Sequence, residues 1–266
     1  MQKIKILNQT NYTVKMKISI ITVAYNSEKT IQETIDSVLN QTYENIEYII
    51  VDGKSSDTTV DIVKSYGNKI AKFVSEPDKG IYDAINKGIR MATGEVVGIL
   101  NSDDVLAHEG VIENVVNLMQ EKQVDSVYGD LKYVSPEDNS KVKRYWKSGN
   151  YKRNKFLYGW MPPHPTFYVK REAYEQFGTF DTSLSSAADY ELMLRFLYKH
   201  HVSAAYNKEV MVYMKTGGKS NASLWNHIVG NMEDRKAWVK NNLNALFFTT
   251  LIKPFRKVPQ FILSQF

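Results

Sequence analysis

Short apolar runs rich in β-branched residues punctuate the first hundred positions of the chain. Runs of this length and composition predict buried β-strands. They lie at residues 17–23, 46–51, 70–75 and 94–100. Each run precedes a stretch with helical character, and the first such stretch carries an apolar face formed by Ile31, Ile35, Val38 and Leu39. This fourfold succession predicts an α/β fold with a mainly parallel sheet and helices on both faces.

Polar side chains follow the carboxyl end of each predicted strand. They are Tyr25 and Asn26, then Asp52, then Asp78 and Lys79, and finally Asp103 and Asp104. Each of them could be an ordinary turn residue. The carboxyl ends of parallel strands share one edge of a sheet, however, and ligands of open α/β sheets bind there. The pattern therefore predicts a nucleotide site, although the glycine-rich loops of dinucleotide-binding and Walker-type proteins are absent from the sequence.

Residues 99–104 bring two adjacent carboxylates, Asp103 and Asp104, to the end of an apolar strand. Such acids are costly unless they are solvated, hydrogen-bonded or bound to a cation. A hard divalent ion that joins them to substrate phosphates would satisfy them. Alternatively, one of them caps the helix predicted at 109–120. This stretch alone does not decide between the two interpretations.

The composition limits the kinds of site, location and partner that the chain can have. The chain has 266 residues, a net charge of +5 and no cysteine, which excludes disulfides and thiolate metal sites. Residues 1–17 lack the apolar core of a signal peptide, and no apolar run reaches the ~18 residues of a membrane span. We therefore expect a cytoplasmic location. Basic residues cluster at 141–155 and 253–257 and suit an anionic partner or a solvated face; we expect no nucleic-acid partner.

Four sequence blocks carry a resemblance to a known family. They are VAYNSEKTIQETIDSVLNQTYENIEYIIVDGKSSDTT, EPDKGIYDAINKGIRMATGEVVGILNSDD, HPTFYVKREAYEQFGTFD and AADYELMLRF. They resemble the family 2 glycosyltransferases, which have the GT-A (Rossmann-like) fold, and most closely the bacterial enzymes of O-antigen, capsule and exopolysaccharide synthesis. The resemblance implies inverting transfer of a hexosyl or N-acetylhexosaminyl group from a nucleotide sugar, expected to be UDP-linked. The implied acceptor is a hydroxyl of a polyprenyl-diphosphate-linked saccharide.

The resemblance also implies roles for individual donor-site residues. Those expected along the base, ribose and diphosphate are Ala24, Tyr25, Glu28, Asp52, Asp78, Lys79, Gly80, Asp83, Asn86 and Ser102, with Lys219 in a glycine-rich loop. The metal motif falls on residues 101–103, so Asp103 is the expected direct ligand of Mg²⁺ or Mn²⁺. Asn101 stands where the family has an aspartate, and Asp104 adds a second charge. An amide oxygen is a neutral donor, so metal binding should survive.

The expected general base is Asp189, since the Glu-Asp pair of the family falls on Ala188 and Asp189. Position 188 thus lacks the family's glutamate. Glu191 is the rival base, and Asp189 could instead only cap its helix. His164 matches a family segment near the acceptor or diphosphate, although a single histidine is often structural.

The predicted organisation is a lead-in (1–16), a GT-A catalytic domain (17–215) and a C-terminal loop with an amphipathic tail (216–266). The domain divides into a nucleotide-sugar half (17–106) and an acceptor half (107–215). The tail is expected to bind the inner face of the cell membrane peripherally, or else to dock on the catalytic domain or another subunit. Two other functions stay open, a nucleotide-sugar pyrophosphorylase and a non-catalytic nucleotide-binding or membrane-scaffold protein.

Overall fold

The computed structural model describes residues 15–216, 224–249 and 260–261, with the backbone alone at 224–231. The strands are β1 (Ile18–Ala24), β2 (Ile46–Asp52), β3 (Lys72–Ser75), β4 (Val96–Ile99), β5 (Asp104–Leu106), β6 (Ser126–Ser135), β7 (Asp138–Trp146), β8 (Tyr168–Lys170) and β9 (Ala204–Lys215). The helices are α1 (Ile31–Leu39), α2 (Thr59–Ser65), α3 (Ile81–Met91), α4 (Val111–Lys122), α5 (Arg171–Phe177), α6 (Ala188–Met193) and α7 (Leu224–Lys240). Most of the expected lead-in lies outside the described residues.

The strands form one mixed sheet in the order β3-β2-β1-β4-β8-β6-β9-β5. β7 lies outside this order and pairs with β6. The first four strands are parallel, as the sequence predicts. β8 runs antiparallel to both β4 and β6, so it joins the two halves of the sheet. β9 comes from the end of the predicted acceptor half of the chain. It lies between β6 and β5 and completes the sheet.

Helices cover both faces, because alternate residues of each central strand point to opposite sides. Ile21 and Ile49 belong to the core beneath α3, α5, α6 and α7. Ile20 and Ile50 belong to the core beneath α1, α2 and α4. The α/β class with two covered faces is confirmed.

Two details differ from the sequence prediction. The helix expected at 109–120 is α4, and its N-cap residue is Gly110. Neither Asp103 nor Asp104 caps it, so the capping alternative for this pair is wrong; Asp104 instead opens β5. The stretch 224–240 forms a long helix that the sequence interpretation treated as part of the C-terminal loop and tail.

No helix within the described ranges is long and apolar enough to cross a membrane.

Candidate nucleotide-sugar site

The loops after β1 and β2 are fastened to each other by reciprocal hydrogen bonds. The backbone N of Asn26 donates to Ser55 Oγ (2.8 Å), and the backbone N of Ser56 donates to Asn26 Oδ1 (2.9 Å). Glu28 Oε2 accepts from the backbone N and the hydroxyl of Thr58, at 3.2 and 2.9 Å. The Glu28 carboxylate therefore holds the two loops together at the expected base-binding edge.

Asp52 ends β2 and is completely buried. Its carboxylate accepts from the backbone N of Ser55 (3.0 Å), from the Ser55 hydroxyl and from Ser75 Oγ (2.6 Å). Asp52 thus ties the ends of β2 and β3 to the intervening turn. Its position at the expected edge agrees with the sequence prediction, while its side-chain contacts are those of a structural anchor.

Tyr25, Gly53 and Asp78 lie together at the sheet edge beside Asp52. The Gly53 backbone N donates to the carbonyl of the buried Ala24 (2.8 Å). A Cβ added at Gly53 would lie 2.4 Å from Asp78 Oδ2 and 3.4 Å from Tyr25 Cδ2. Glycine therefore lets the Asp78 carboxylate approach the backbone, and the Tyr25 ring, 55% exposed, stands beside it.

The turn from Asp78 to Asp83 is organised by its own carboxylates. Asp78 Oδ1 accepts from the backbone N of Gly80 (2.8 Å), and Asp83 Oδ2 accepts from that of Lys79 (3.0 Å). Gly80 has φ +112°, a conformation that favours glycine. The Lys79 side chain is exposed. The turn places this cation at the same sheet edge as Asp78.

Asn86 connects α3 to the predicted acceptor half of the chain. It is buried, and its amide exchanges two hydrogen bonds with the backbone of Phe180, at 2.8 and 2.9 Å. Those contacts lock α3 to the segment before α6. The amide therefore supports the site through Phe180.

The turn between β4 and β5 contains the three expected metal ligands. Asn101 Nδ2 donates to Asp104 Oδ2 (3.0 Å), and Ser102 Oγ hydrogen-bonds Ser27 Oγ (2.7 Å). Within the described part of the chain, Asn101 Oδ1 and Asp104 Oδ1 are buried and have no hydrogen-bond partner. Buried oxygens without partners are costly, and oxygen ligands of this kind suit a hard divalent ion.

Burial raises the pKa of both aspartates at this turn. Burial raises the pKa of Asp104 well above its usual range, and the neighbouring Asp103 raises it further. Burial also raises the pKa of Asp103, while Lys215 opposes that change. A cation at the turn would favour the ionised forms of both acids.

Asp189 lies in the first turn of α6, and aromatic side chains surround it. Its Oδ1 accepts from the backbone N of Tyr190 (2.8 Å). The Tyr82 hydroxyl lies at the backbone N–H groups that begin α6. Tyr82 stacks on Phe180 (5.6 Å between centroids), and His164 meets the same ring edge-on at 5.7 Å.

Tyr82, His164 and Tyr133 lie within electrostatic reach of Asp189. Burial raises the pKa of Tyr82, and Asp189 raises it further. Burial lowers the pKa of His164, while Asp189 opposes that effect. Burial also raises the pKa of Tyr133, which Arg144 opposes and both Asp104 and Asp189 reinforce. Tyr133 is therefore within reach of both the acidic turn and Asp189.

Glu191, the rival base, is already paired. It is buried and forms two hydrogen bonds with Arg195, at 2.9 and 2.8 Å. Asn241 Nδ2 donates a further bond to Glu191 Oε1 (2.8 Å). These contacts give Glu191 the role of an anchor between α6 and the segment after α7.

Two features of the site lie outside the sequence interpretation. Glu233 and Trp238 of α7 contact the beginning of α6, and the guanidinium of Arg144 lies over the Tyr133 ring, 4.5 Å from its centroid. Arg144 belongs to the basic cluster noted in the sequence, but α7 gave no periodic signal because acids are among its buried residues. The expected donor residue Lys219 lies outside the described residues.

The comparisons with known proteins identify the family. The model named "Glycosyl transferase family 2" matches residues 19–178. An uncharacterized glycosyltransferase of Rickettsia typhi is 30% identical over 233 residues, which are 83% of this chain and 69% of the relative. A chondroitin synthase of Pasteurella multocida is 29% identical over 197 residues, 72% of this chain but only 20% of the synthase. The chain belongs to glycosyltransferase family 2 and is a glycosyltransferase.

Solved structures show the same fold. S. aureus TarS in complex with UDP-GlcNAc superposes with a TM-score of 0.68 at 21% identity, over 86% of this chain and 68% of TarS. A mannosyltransferase of Pyrobaculum calidifontis in complex with GDP-Man and Mn²⁺ gives a TM-score of 0.65 at 21% identity, over 95% and 74% of the two chains. The GT-A fold expected from the sequence is confirmed.

Proposed function

We propose that the chain transfers a hexosyl or N-acetylhexosaminyl group, with inversion, from a UDP-sugar to a hydroxyl of a polyprenyl-diphosphate-linked saccharide. The expected setting is the synthesis of a bacterial surface polysaccharide. The similarity to the chondroitin synthase and to the fold of TarS, which was solved with UDP-GlcNAc, supports this choice of donor and product.

The observation that carries the proposal is the turn between β4 and β5, where Asn101 Oδ1 and Asp104 Oδ1 are buried without a hydrogen-bond partner among the described residues. The carboxylates of Asp104 and Asp189 both act on the Tyr133 phenol, so this turn and the proposed base lie within electrostatic reach of one side chain. A transferase needs both groups at one centre, because the diphosphate leaves and the hydroxyl attacks at the same carbon.

Asn101, Asp103 and Asp104 would hold Mg²⁺ or Mn²⁺. The buried oxygens without partners support this assignment, as does the Mn²⁺ present in the mannosyltransferase of the same fold. A divalent ion there would stabilise the negative charge that develops on the diphosphate. The Asn101 amide, fixed by Asp104, supplies one neutral oxygen to this set.

The donor nucleotide would bind at the sheet edge where Tyr25, Gly53 and Asp78 lie together. The Tyr25 ring offers a surface for the base, and the Asp78 carboxylate offers an acceptor for base or ribose donors. Lys79, on the adjoining turn, provides a positive charge for the diphosphate.

Asp189 would accept the proton of the attacking hydroxyl as the new glycosidic bond forms. The hydrogen bond from the Tyr190 backbone N fixes the carboxylate, which acts electrostatically on Tyr82 and His164. Because burial lowers the pKa of His164, its imidazole is mainly neutral at pH 7 and can hydrogen-bond a sugar hydroxyl. Glu191 is held by Arg195 and stabilises α6.

Replacing the base tests this mechanism. Asp189→Asn should lower turnover by ~10²–10⁴-fold, the usual contribution of a general base, and should leave the affinity for UDP unchanged. Turnover is measured as UDP release from a panel of UDP-sugars with Mn²⁺ and a lipid-diphosphate saccharide. The control Glu191→Gln should mainly lower the thermal stability. A full rate in Asp189→Asn would exclude Asp189 as the base.

We also propose that the protein works in the cytoplasm as a peripheral protein on the inner face of the cell membrane. Support comes from an apolar surface formed by the exposed Tyr158, Leu246 and Phe247 and the half-buried Phe248. Thr249 Oγ1 donates to the carbonyl of Leu157 (2.7 Å) and fastens this part of the tail beside residues 152–158, where Lys152 and Arg153 are exposed. Aromatic and cationic side chains together suit an anionic bilayer surface.

A further inference from the structure

The loop that leads into α6 is held by a carboxylate from α7. Glu233 accepts from the backbone N and hydroxyl of Ser185 (3.0 and 2.8 Å) and from those of Ser186 (2.8 and 3.0 Å). It also accepts from the backbone N of Ala187 (3.1 Å). Glu233 is 7% exposed. Three consecutive backbone donors are therefore satisfied by one side chain from a distant part of the sequence.

The fastened loop ends two residues before Asp189. The N-cap residue of α6 is Ala187, which has no side chain that could cap the helix. The same α7 helix holds the other side of this turn, because Trp238 Nε1 donates to the Tyr190 hydroxyl (2.9 Å). The direction in which α6 begins, and with it the placement of Asp189, depends on α7.

The loop donors also keep the Glu233 carboxylate charged. Burial alone would raise the pKa of Glu233, but the hydrogen bonds from Ser185 and Ser186 outweigh it and lower the pKa. An ionised carboxylate accepts hydrogen bonds more strongly than a neutral amide, so the charge strengthens its hold on the loop.

We propose that Glu233 is a positioning residue for the reaction: it fixes the loop 185–187 and thereby the place of Asp189. This inference rests on the proposed role of Asp189 as the base. Without the Glu233 carboxylate the loop loses its hydrogen-bond acceptors, and the geometry of the base loosens.

The test uses Glu233→Gln in the full chain, which keeps the size of the side chain but removes its charge and one acceptor oxygen. We expect kcat to fall about 10- to 100-fold, as for a base displaced by a fraction of an ångström to an ångström, while the KM for the UDP-sugar stays constant. An unchanged kcat would overturn the proposal.

Lys240→Met is the matched control. Lys240 Nζ contacts Asp181 Oδ2 and Ser183 Oγ, both at 2.6 Å, so it ties the same helix to the same loop without contacting residues 185–187. This variant should lose stability but keep its kcat. If both variants lowered kcat equally, Glu233 would act only by holding the structure together.

Two further variants separate the possible failures. If Glu233→Gln does not fold, Ser186→Ala removes one bond to Glu233 and keeps its charge. It should lower kcat at constant KM, and an unchanged kcat would count against the proposal. In the Asp189→Asn background, Glu233→Gln should add little, because both changes act on the same step. A full rate in Asp189→Asn alone would instead refute the proposed function.

Discussion

Replacing Gly53 by alanine tests the proposed nucleotide site at Tyr25, Gly53 and Asp78 without changing a charge. The added Cβ would lie 2.4 Å from Asp78 Oδ2, whereas ordinary contact begins at 3.4 Å. The carboxylate of Asp78 must therefore move by about 1 Å. The backbone at Gly53 is not in the left-handed region, so the alanine itself adds no strain of that kind.

The size of the effect follows from the contacts that the displaced carboxylate makes. A hydrogen bond to a charged group contributes about 1.5–3 kcal/mol, and Asp78 Oδ1 makes one with the backbone N of Gly80 (2.8 Å). If Asp78 makes a contact of the same strength with the nucleotide, its displacement lowers the affinity about 10- to 150-fold. The free energy of unfolding should change less, because Asp78 is only half-buried.

The assay is isothermal titration calorimetry with UDP, with GDP as the second probe. Gly98→Ala is the matched control, since its Cβ would meet the buried Tyr168 ring at 2.2 Å. Overpacking of this kind costs about 1–3 kcal/mol of stability, and the folded fraction should bind the nucleotide normally. If Gly53→Ala bound both nucleotides as tightly as the unchanged protein, Asp78 would not belong to the site.

Three further predictions concern other parts of the molecule. Glu47 is buried and accepts hydrogen bonds from Ser19 and Thr93. Burial alone would raise the pKa of Glu47, but these bonds outweigh it and lower the pKa, so the stabilisation is present above the unfolded-state pKa of about 4.3 and is lost as the pH falls toward the folded-state value. Glu47→Gln should therefore cost about 3–5 kcal/mol of unfolding free energy in urea at pH 7 and less at pH 3; an equal cost at both pH values would contradict this linkage. Asn101→Asp places a carboxylate against that of Asp104, so the melting temperature should fall in EDTA and recover with Mn²⁺; a melting temperature indifferent to both would argue against a metal at this turn. Phe247→Ser removes a side chain that is 77% exposed and should weaken sedimentation with anionic liposomes at low salt while leaving the melting temperature unchanged; undiminished sedimentation would exclude this apolar surface.

The sequence could predict which side chains share one edge of the sheet, because each position is set by the strand before it. Tyr25, Asp52 and Asp78 each directly follow a parallel strand, and parallel strands end at one edge. The choice between Asp189 and Glu191 was not local. It depends on Arg195 one turn later and on Asn241, whose contact with Glu191 exists only in the folded chain.

The contribution of α7 was hidden for another physical reason. Helices are found in sequences by periodic apolar positions, but α7 buries Glu233 and Asp234 as well as Trp238. A buried acid matters through the donors that it meets, and those donors belong to residues 185–187. Similarly, β5 has only three residues, too few to show alternation.

The pairing of β5 with β9 has a consequence for how the protein is made. Asp104 and Leu106 of β5 are opposite Met214 and Val212, and in the sheet β5 pairs with β9 alone. During synthesis, β1 to β4 can assemble as soon as they leave the ribosome, but β5 must wait until β9 has emerged. Domains with such distant pairings fold slowly and expose unpaired edges meanwhile. The acidic turn would therefore be among the last parts of the nascent chain to fold. The proposed donor site would be complete only after nearly all of the predicted acceptor half had been translated.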